Sequence, residues 1–159
     1  MSTRLAILTT VAAIGSGIVG GVFFAFSTFV MKALDRLPPA HSVSAMQAIN
    51  KAAPNAWFMA ALFGTAIACV AVGIAAVVRW GEAGATYQLV GAVLYLAVIV
   101  LTIAYHIPRN ESLATIDPNT VDAARQWPAY SSGWTAWNHV RTIAPIASAA
   151  MFTTALRIG

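Results

Sequence analysis

Three stretches without Lys, Arg, Asp or Glu organise the chain: residues 5–31, 52–78 and 83–108. Each exceeds the ~20 residues that a helix rising ~1.5 Å per residue needs to cross ~30 Å of hydrocarbon. They predict transmembrane helices over about 5–31, 54–78 and 85–107. A fourth apolar run is shorter, with only 15 uncharged residues between Arg141 and Arg157, or about 22 Å of helix. To cross a bilayer, that helix has to begin near Trp134 or Trp137, which gives a fourth span over about 135–157. Asn138, His139 and Arg141 then fall in its first turns. The expected fold is all-α: a single domain over 1–159, built as an integral-membrane four-helix bundle.

The connections carry their own signals. Pro38 and Pro39 break the chain after the first span. Val43, Met46, Ile49 and Ala53 then recur at three- and four-residue spacing, one apolar stripe that predicts a short interfacial helix. His41 stands just before it, as an N-cap or solvated side chain. Pro54 is expected in the first turn of span two. Gly81, Glu82 and Gly84 form a tight turn, so spans two and three make an antiparallel hairpin. Pro108 lacks an amide hydrogen and disfavours helical geometry at Ile107, so span three is expected to end or kink there. A long polar loop with Glu111, Asp117 and Asp122 follows, with a helix start at Thr120 or Asp122.

Composition agrees with a membrane protein: 59% of the 159 residues are hydrophobic and 9% charged, against about 25% charged in soluble domains. The formal charge of +4 is spread over single Lys and Arg residues at span ends, with no basic cluster for nucleic acid. These cations read as interfacial anchors, and their distribution favours the 32–53 and 108–136 loops on the cytoplasmic side. The expected location is the cytoplasmic membrane of a bacterium, as a multi-pass protein. Cys69 is the only cysteine and cannot form an internal disulfide. Gly17 and Gly21 make a G-x-x-x-G, and Ser16 and Gly20 repeat the spacing one residue earlier. Such small-residue faces let helices approach closely, within the bundle or against a second copy or a membrane partner. The phenylalanines at 23, 24, 26 and 29 cover more than one face, meeting both lipid and protein.

Candidate chemistry concentrates in 127–142, WPAYSSGWTAWNHVRT. Trp134, Asn138 and Arg141 share one helical stripe, Trp137 stands four residues from Arg141, and His139 points elsewhere. An arginine this deep must snorkel outward or pair with polar groups in the bundle. An even number of spans brings the two long loops to one membrane face. That face gathers Asn50, Asn55, Trp57, His106, Asn110, Trp134, Trp137, Asn138, His139 and Arg141. Such a set is either a network tying helix ends to loops or a pocket with donors for carbonyl and phenolate oxygens.

Four segments carry a resemblance: GGVFFAFSTFVMKAL, MQAINKAAPNAWFMAALFG, HIPRNESLA and WTAWNHVRT. In this order, over nearly the whole chain, they resemble the anthrone-oxygenase-like family of small four-helix membrane proteins. The resemblance implies oxidation of a lipophilic aromatic, anthrone- or quinol-like, without a metal or flavin. Carried over by position, it highlights Asn50, Asn55, Trp57, Pro108, Asn110, Trp134, Trp137, Asn138 and Arg141. The family pattern commonly has asparagine at the place of His106, which puts base and substrate in question here.

A cofactor-independent oxygenase needs a base to leave a carbanion or phenolate for dioxygen. His139 or His106 would supply it, with Arg141 and Asn138 stabilising the anion. Trp134, Trp137, Trp57, Asn50, Asn55 and Asn110 would bind the substrate. Two other readings stay open: a non-enzymatic accessory or lipid/quinone-binding subunit, and metal or haem ligation by His41, His106 and His139, which no H-x-x-x-H spacing supports.

Overall fold

The computed structural model describes all 159 residues as five helices and no strands. They are α1 (Thr3–Leu34), α2 (Pro39–Ala52), α3 (Ala56–Val78), α4 (Ala85–Ala114) and α5 (Val121–Ile158). α1, α3 and α4 are long and apolar enough to cross a membrane. α1 packs on α3 and α5, and α4 packs on the same two helices. The four long helices thus close a ring in the order α1, α3, α4, α5. Outward-facing Ile7, Ile14, Ile67, Ile74, Val100 and Ile143 give the ring an apolar surface, as hydrocarbon-facing helices require.

Two glycines define the end where the chain termini meet. Gly81 and Gly84 have positive φ, 93° and 86°, and close the α3–α4 turn in a conformation glycine adopts without strain. A Cβ on Gly84 would stand 3.0 Å from the Ala155 carbonyl oxygen, so α5 also needs the bare backbone there. The Met1 ammonium donates to the Gly159 carbonyl at 3.0 Å. Both termini and the hairpin turn therefore share one end, as the even number of spans predicted.

At the opposite end, α2 and the start of α5 form a cap. Met31, Leu34, Val43, Met46, Leu113, Ala123, Trp127, Tyr130 and Trp134 bury one another in a core separate from that of the bundle. Polar bonds hold the cap down. Gln47 Nε2 donates to the carbonyls of Leu113 and Ile116 at 2.9 and 2.8 Å, and Asp35 accepts from Trp127 Nε1 and Ser131 Oγ at 3.0 and 2.6 Å.

Four expectations need correction. α4 does not stop at Ile107. A π turn over Thr102–His106 precedes Pro108, and the Ile107 amide bonds back to Thr102, five residues away. The widened turn accommodates the proline, and the helix runs on to Ala114. Secondly, α5 starts at Val121 and passes through Pro128 and Pro145, so the long polar loop shrinks to a six-residue turn, 115–120. Thr120 is the N-cap, as expected, but the helix beginning there is the same one that carries Arg141. Thirdly, Pro54 lies before α3, whose N-cap is Asn55, accepting from the Phe58 amide at 3.0 Å. His41 is likewise inside the first turns of α2, exposed. Finally, the close-packing face of α1 is not Gly17 and Gly21, which face outward with open space where a Cβ would stand; Gly20 instead meets Pro145 and Ile146.

Candidate functional site

Between the bundle core and the cap lies a cavity of about 690 Å³, walled mostly by hydrophobic side chains. Two π turns shape it. The first, Phe26–Val30 in α1, and the second, Thr102–His106 in α4, each insert one extra residue and rephase the side chains beyond it. They bring Ser27 from one side and Thr102 and His106 from the other against the Trp134–Asn138–Arg141 stripe of α5.

Arg141 is the centre of this arrangement. Only 5% exposed, its guanidinium lies between two aromatic rings, 4.3 Å from the Phe23 centroid and 5.1 Å from that of Trp134. Its Nη2 donates to Asn138 Oδ1 at 2.9 Å, Nη1 reaches Thr102 Oγ1 at 3.5 Å, and Nε has no partner. None of the five carboxylates of the chain lines the cavity, and the one ion pair, Arg79 with Glu82, lies in the hairpin turn. Buried charges are ordinarily paired. This one is left open on a ligand-sized space.

Asn138, fully buried, does not line the cavity. It holds Arg141 in place, its Nδ2 donating to the Phe23 carbonyl and to Ser27 Oγ, both at 2.9 Å. His106, 1% exposed, lines the cavity with its Nε2 3.3 Å from the Trp134 carbonyl. A carbonyl only accepts, so the proton sits on Nε2 and the unpartnered Nδ1 carries the lone pair. Asn110 accepts from Trp134 Nε1 and Tyr130 Oη, each at 2.9 Å, which leaves its Nδ2 as a donor. Burial pushes the Tyr130 hydroxyl up to about 12, so it stays a neutral donor. Asn50 adds a buried, unpartnered Nδ2.

The candidate residues therefore divide. His106, Arg141, Trp134, Asn50, Asn55 and Asn110 line one cavity, with Asn138 behind them. Trp57 is 88% exposed and outside it. Trp137 is 46% exposed and packs on Tyr105 at 5.3 Å rather than on Arg141, because Trp134 already occupies the guanidinium face. His139 is exposed on the far side of α5, along a separate polar groove with Lys32 and Asp35. It does not line the cavity, and of the two candidate bases only His106 does. His41, His106 and His139 do not converge, and no three His, Cys, Asp or Glu side chains are gathered for a metal; the three-histidine alternative is set aside on that placement. The phenylalanines of α1 divide between two faces as expected: Phe23 and Phe26 line the cavity, whereas Phe24 and Phe29 face outward. Sequence reasoning missed Ser27, Thr102 and Tyr130, whose only signal is polarity on otherwise apolar faces.

A family model described as anthrone oxygenase matches residues 55–151, more than half of the chain. The chain belongs to the anthrone oxygenase family. No curated protein and no solved structure matches it. The match begins at the N-cap of α3 and takes in His106, Asn110, Trp134, Asn138 and Arg141, while α1 and α2 lie before it. In this anthrone oxygenase family member, Phe23, Phe26 and Asn50 complete the cavity from outside the matched region.

Proposed function

We propose that the protein is a four-span membrane oxygenase of the bacterial cytoplasmic membrane, acting without metal or flavin on a lipophilic, electron-rich aromatic such as an anthrone or a quinol. The observation that carries the reading is Arg141, buried without a carboxylate partner on an apolar cavity that His106, with an unpartnered imidazole nitrogen, also lines. A cation held there without a carboxylate favours a ligand that becomes anionic during reaction, which is the preorganised electrostatic stabilisation an enolate or phenolate needs. Family membership supports the same chemistry.

In this mechanism His106 Nδ1 removes a proton from the activated ring methylene, and the electron pair moves onto the ring oxygen as an enolate held by Arg141. The carbanion carbon passes its electrons to dioxygen and forms a C–O bond. The resulting hydroperoxide loses water to leave a ketone, so one CH₂ and one O₂ become one C=O and one H₂O. Trp134 and Phe23 hold the guanidinium plane, and Asn110 and Asn50 donate to further oxygens of the substrate.

The test is oxygen uptake and quinone formation from an anthrone by purified, metal-stripped protein. His106→Ala is expected to lower turnover by ~10²–10⁴, the usual size of a base contribution, and His139→Ala to leave it unchanged. Full activity in His106→Ala would sink the base assignment. Absence of turnover together with saturable quinone binding would favour the accessory-subunit reading, which the same cavity fits.

A further inference from the structure

A second cavity, of about 610 Å³, lies in the seam between α1 and α5. Unlike the first it is lined mostly by polar side chains, among them Lys32, Asp35 and His139. Bonds across the seam fix how these three stand. Ser27 of α1 meets Thr142 at 2.9 Å and accepts from Asn138 at 2.9 Å. About two turns further along α1, Asp35 accepts from Ser131 and Trp127. The two helices therefore run antiparallel along the groove, and Lys32 falls between the crossings. From the bundle towards the cap the order is His139, Lys32, Asp35.

All three heads are free. Lys32 and Asp35 stand three residues apart, about 4.5 Å of helix, yet the one ion pair of the chain is Arg79 with Glu82. Both bonds to Asp35 fall on Oδ1, which leaves Oδ2 open. Lys32, Asp35 and His139 are all exposed.

Towards the bundle the same seam turns apolar. Gly20 meets Ile146 across it, and Phe24, Ile143 and Ile146 face outward. Gly17 and Gly21 leave bare surface on the same helix. An outward face is apolar at hydrocarbon depth and carries charge where headgroups or water meet it. From mid-bilayer outward the seam thus offers hydrocarbon, then a cation with an imidazole, then a carboxylate. An ethanolamine phospholipid has the complementary order: acyl chain, phosphate, ammonium.

We propose that the α1–α5 groove binds an ethanolamine phospholipid, its phosphate on Lys32 and a ring N–H of His139, its ammonium on Asp35 Oδ2, and one acyl chain along Phe24 and Ile143. A primary ammonium donates hydrogen bonds to the carboxylate, which a trimethylammonium cannot do. A phosphate without an amine leaves Asp35 as an unpaired like charge beside it. The groove is separate from the Arg141 cavity, and this binding does not depend on the oxygenase reading.

Delipidated protein in detergent is titrated with phosphatidylethanolamine, phosphatidylcholine and phosphatidylglycerol of identical acyl chains, and bound lipid is counted by native mass spectrometry. Phosphatidylethanolamine is expected to bind about tenfold more tightly than either of the others, the worth of one charge-assisted hydrogen bond. Asp35→Asn keeps an oxygen to accept from Trp127 and Ser131 and is expected to abolish the preference over phosphatidylcholine. Lys32→Gln is expected to weaken phosphatidylethanolamine by about tenfold as well. Free phosphoethanolamine is expected not to compete at concentrations that saturate the lipid; competition there would make the ligand a soluble phosphate ester and overturn the lipid assignment. Equal retention of the three lipids, a preference for phosphatidylglycerol, or a phosphatidylethanolamine preference that survives both substitutions would overturn the proposal. The comparison of lipids uses the unaltered protein, so a variant that fails to fold does not decide the outcome.

Discussion

Two adjacent residues, Asn138 and His139, illustrate how little composition says about role. Both are polar, and both lie within WTAWNHVRT. Asn138 faces α1, where it bonds the Phe23 carbonyl and Ser27, and it also accepts from Arg141 of its own helix; the 100° step to the next residue turns His139 to the outside. Asn138→Ala leaves the buried Arg141 Nη2 without its partner, whereas Ser27 Oγ keeps Thr142 Oγ1 and the Phe23 carbonyl keeps the Phe26 amide. An orphaned donor costs about 1–3 kcal/mol, so a destabilisation of that size is expected, with turnover falling as Arg141 loses its hold. His139→Ala is expected within about ±0.5 kcal/mol of wild type. Thermal unfolding in one detergent compares the two, and equal effects would refute the clamp. The stripe through Trp134, Asn138 and Arg141 was legible because it depends only on helical period. The division of labour within it was not, because the partners of Asn138 lie 111 and 115 residues away.

Among the helices, what the pattern predicted best was what long uncharged runs impose. α1, α3 and α4 appear where hydropathy puts them, and the 3.6-residue stripe of α2 is correct to within a few residues. Prolines misled, because a proline removes one hydrogen bond but tertiary packing decides whether the helix ends. At Pro108 a π turn absorbs it, and at Pro145 the ring packs near Gly20 of α1. Within the bundle the small-residue stripe resolves into the Ser16 and Gly20 register rather than Gly17 and Gly21, since spacing alone cannot say which of two adjacent registers faces inward. A Cβ on Gly91 would stand 2.9 Å from Phe152, whereas Gly17 and Gly21 have open space. Gly91→Ala is therefore expected to destabilise by about 1–3 kcal/mol through overpacking. Gly17→Ala and Gly21→Ala should be neutral or slightly stabilising, since alanine is the better helix former by about 1 kcal/mol. Loss of stability in the Gly17 or Gly21 variants, measured by thermal unfolding, would place a packed surface where the monomer has none.

For the molecule as a whole, the site exists because α5 belongs to two structures at once. Its 38 residues extend about 57 Å, nearly twice the hydrocarbon thickness. The C-terminal part is a wall of the bundle and the N-terminal part a beam of the cap, with Trp134 to Arg141 at the join. A reading that treated 108–136 as a polar loop could place the candidate residues at one face but could not enclose them. Enclosure depends on the cap, and the cap depends on a few polar bonds. Gln47 is the clearest fastener: a single side-chain amide ties the carbonyls of Leu113, in the last turn of α4, and Ile116, just beyond it, to α2, where helix ends leave acceptors available. Gln47→Leu keeps the bulk and removes the bonds. Hydrogen exchange should then speed up across residues 39–52 while α1, α3 and α4 stay protected, because local opening is set by the contacts of the opening unit. Water admitted through the loosened cap would also weaken every electrostatic contact Arg141 makes, so turnover should fall without any change in the residues that touch the substrate. Unchanged exchange in α2 would mean that the apolar contacts of Val43 and Met46 hold the cap unaided.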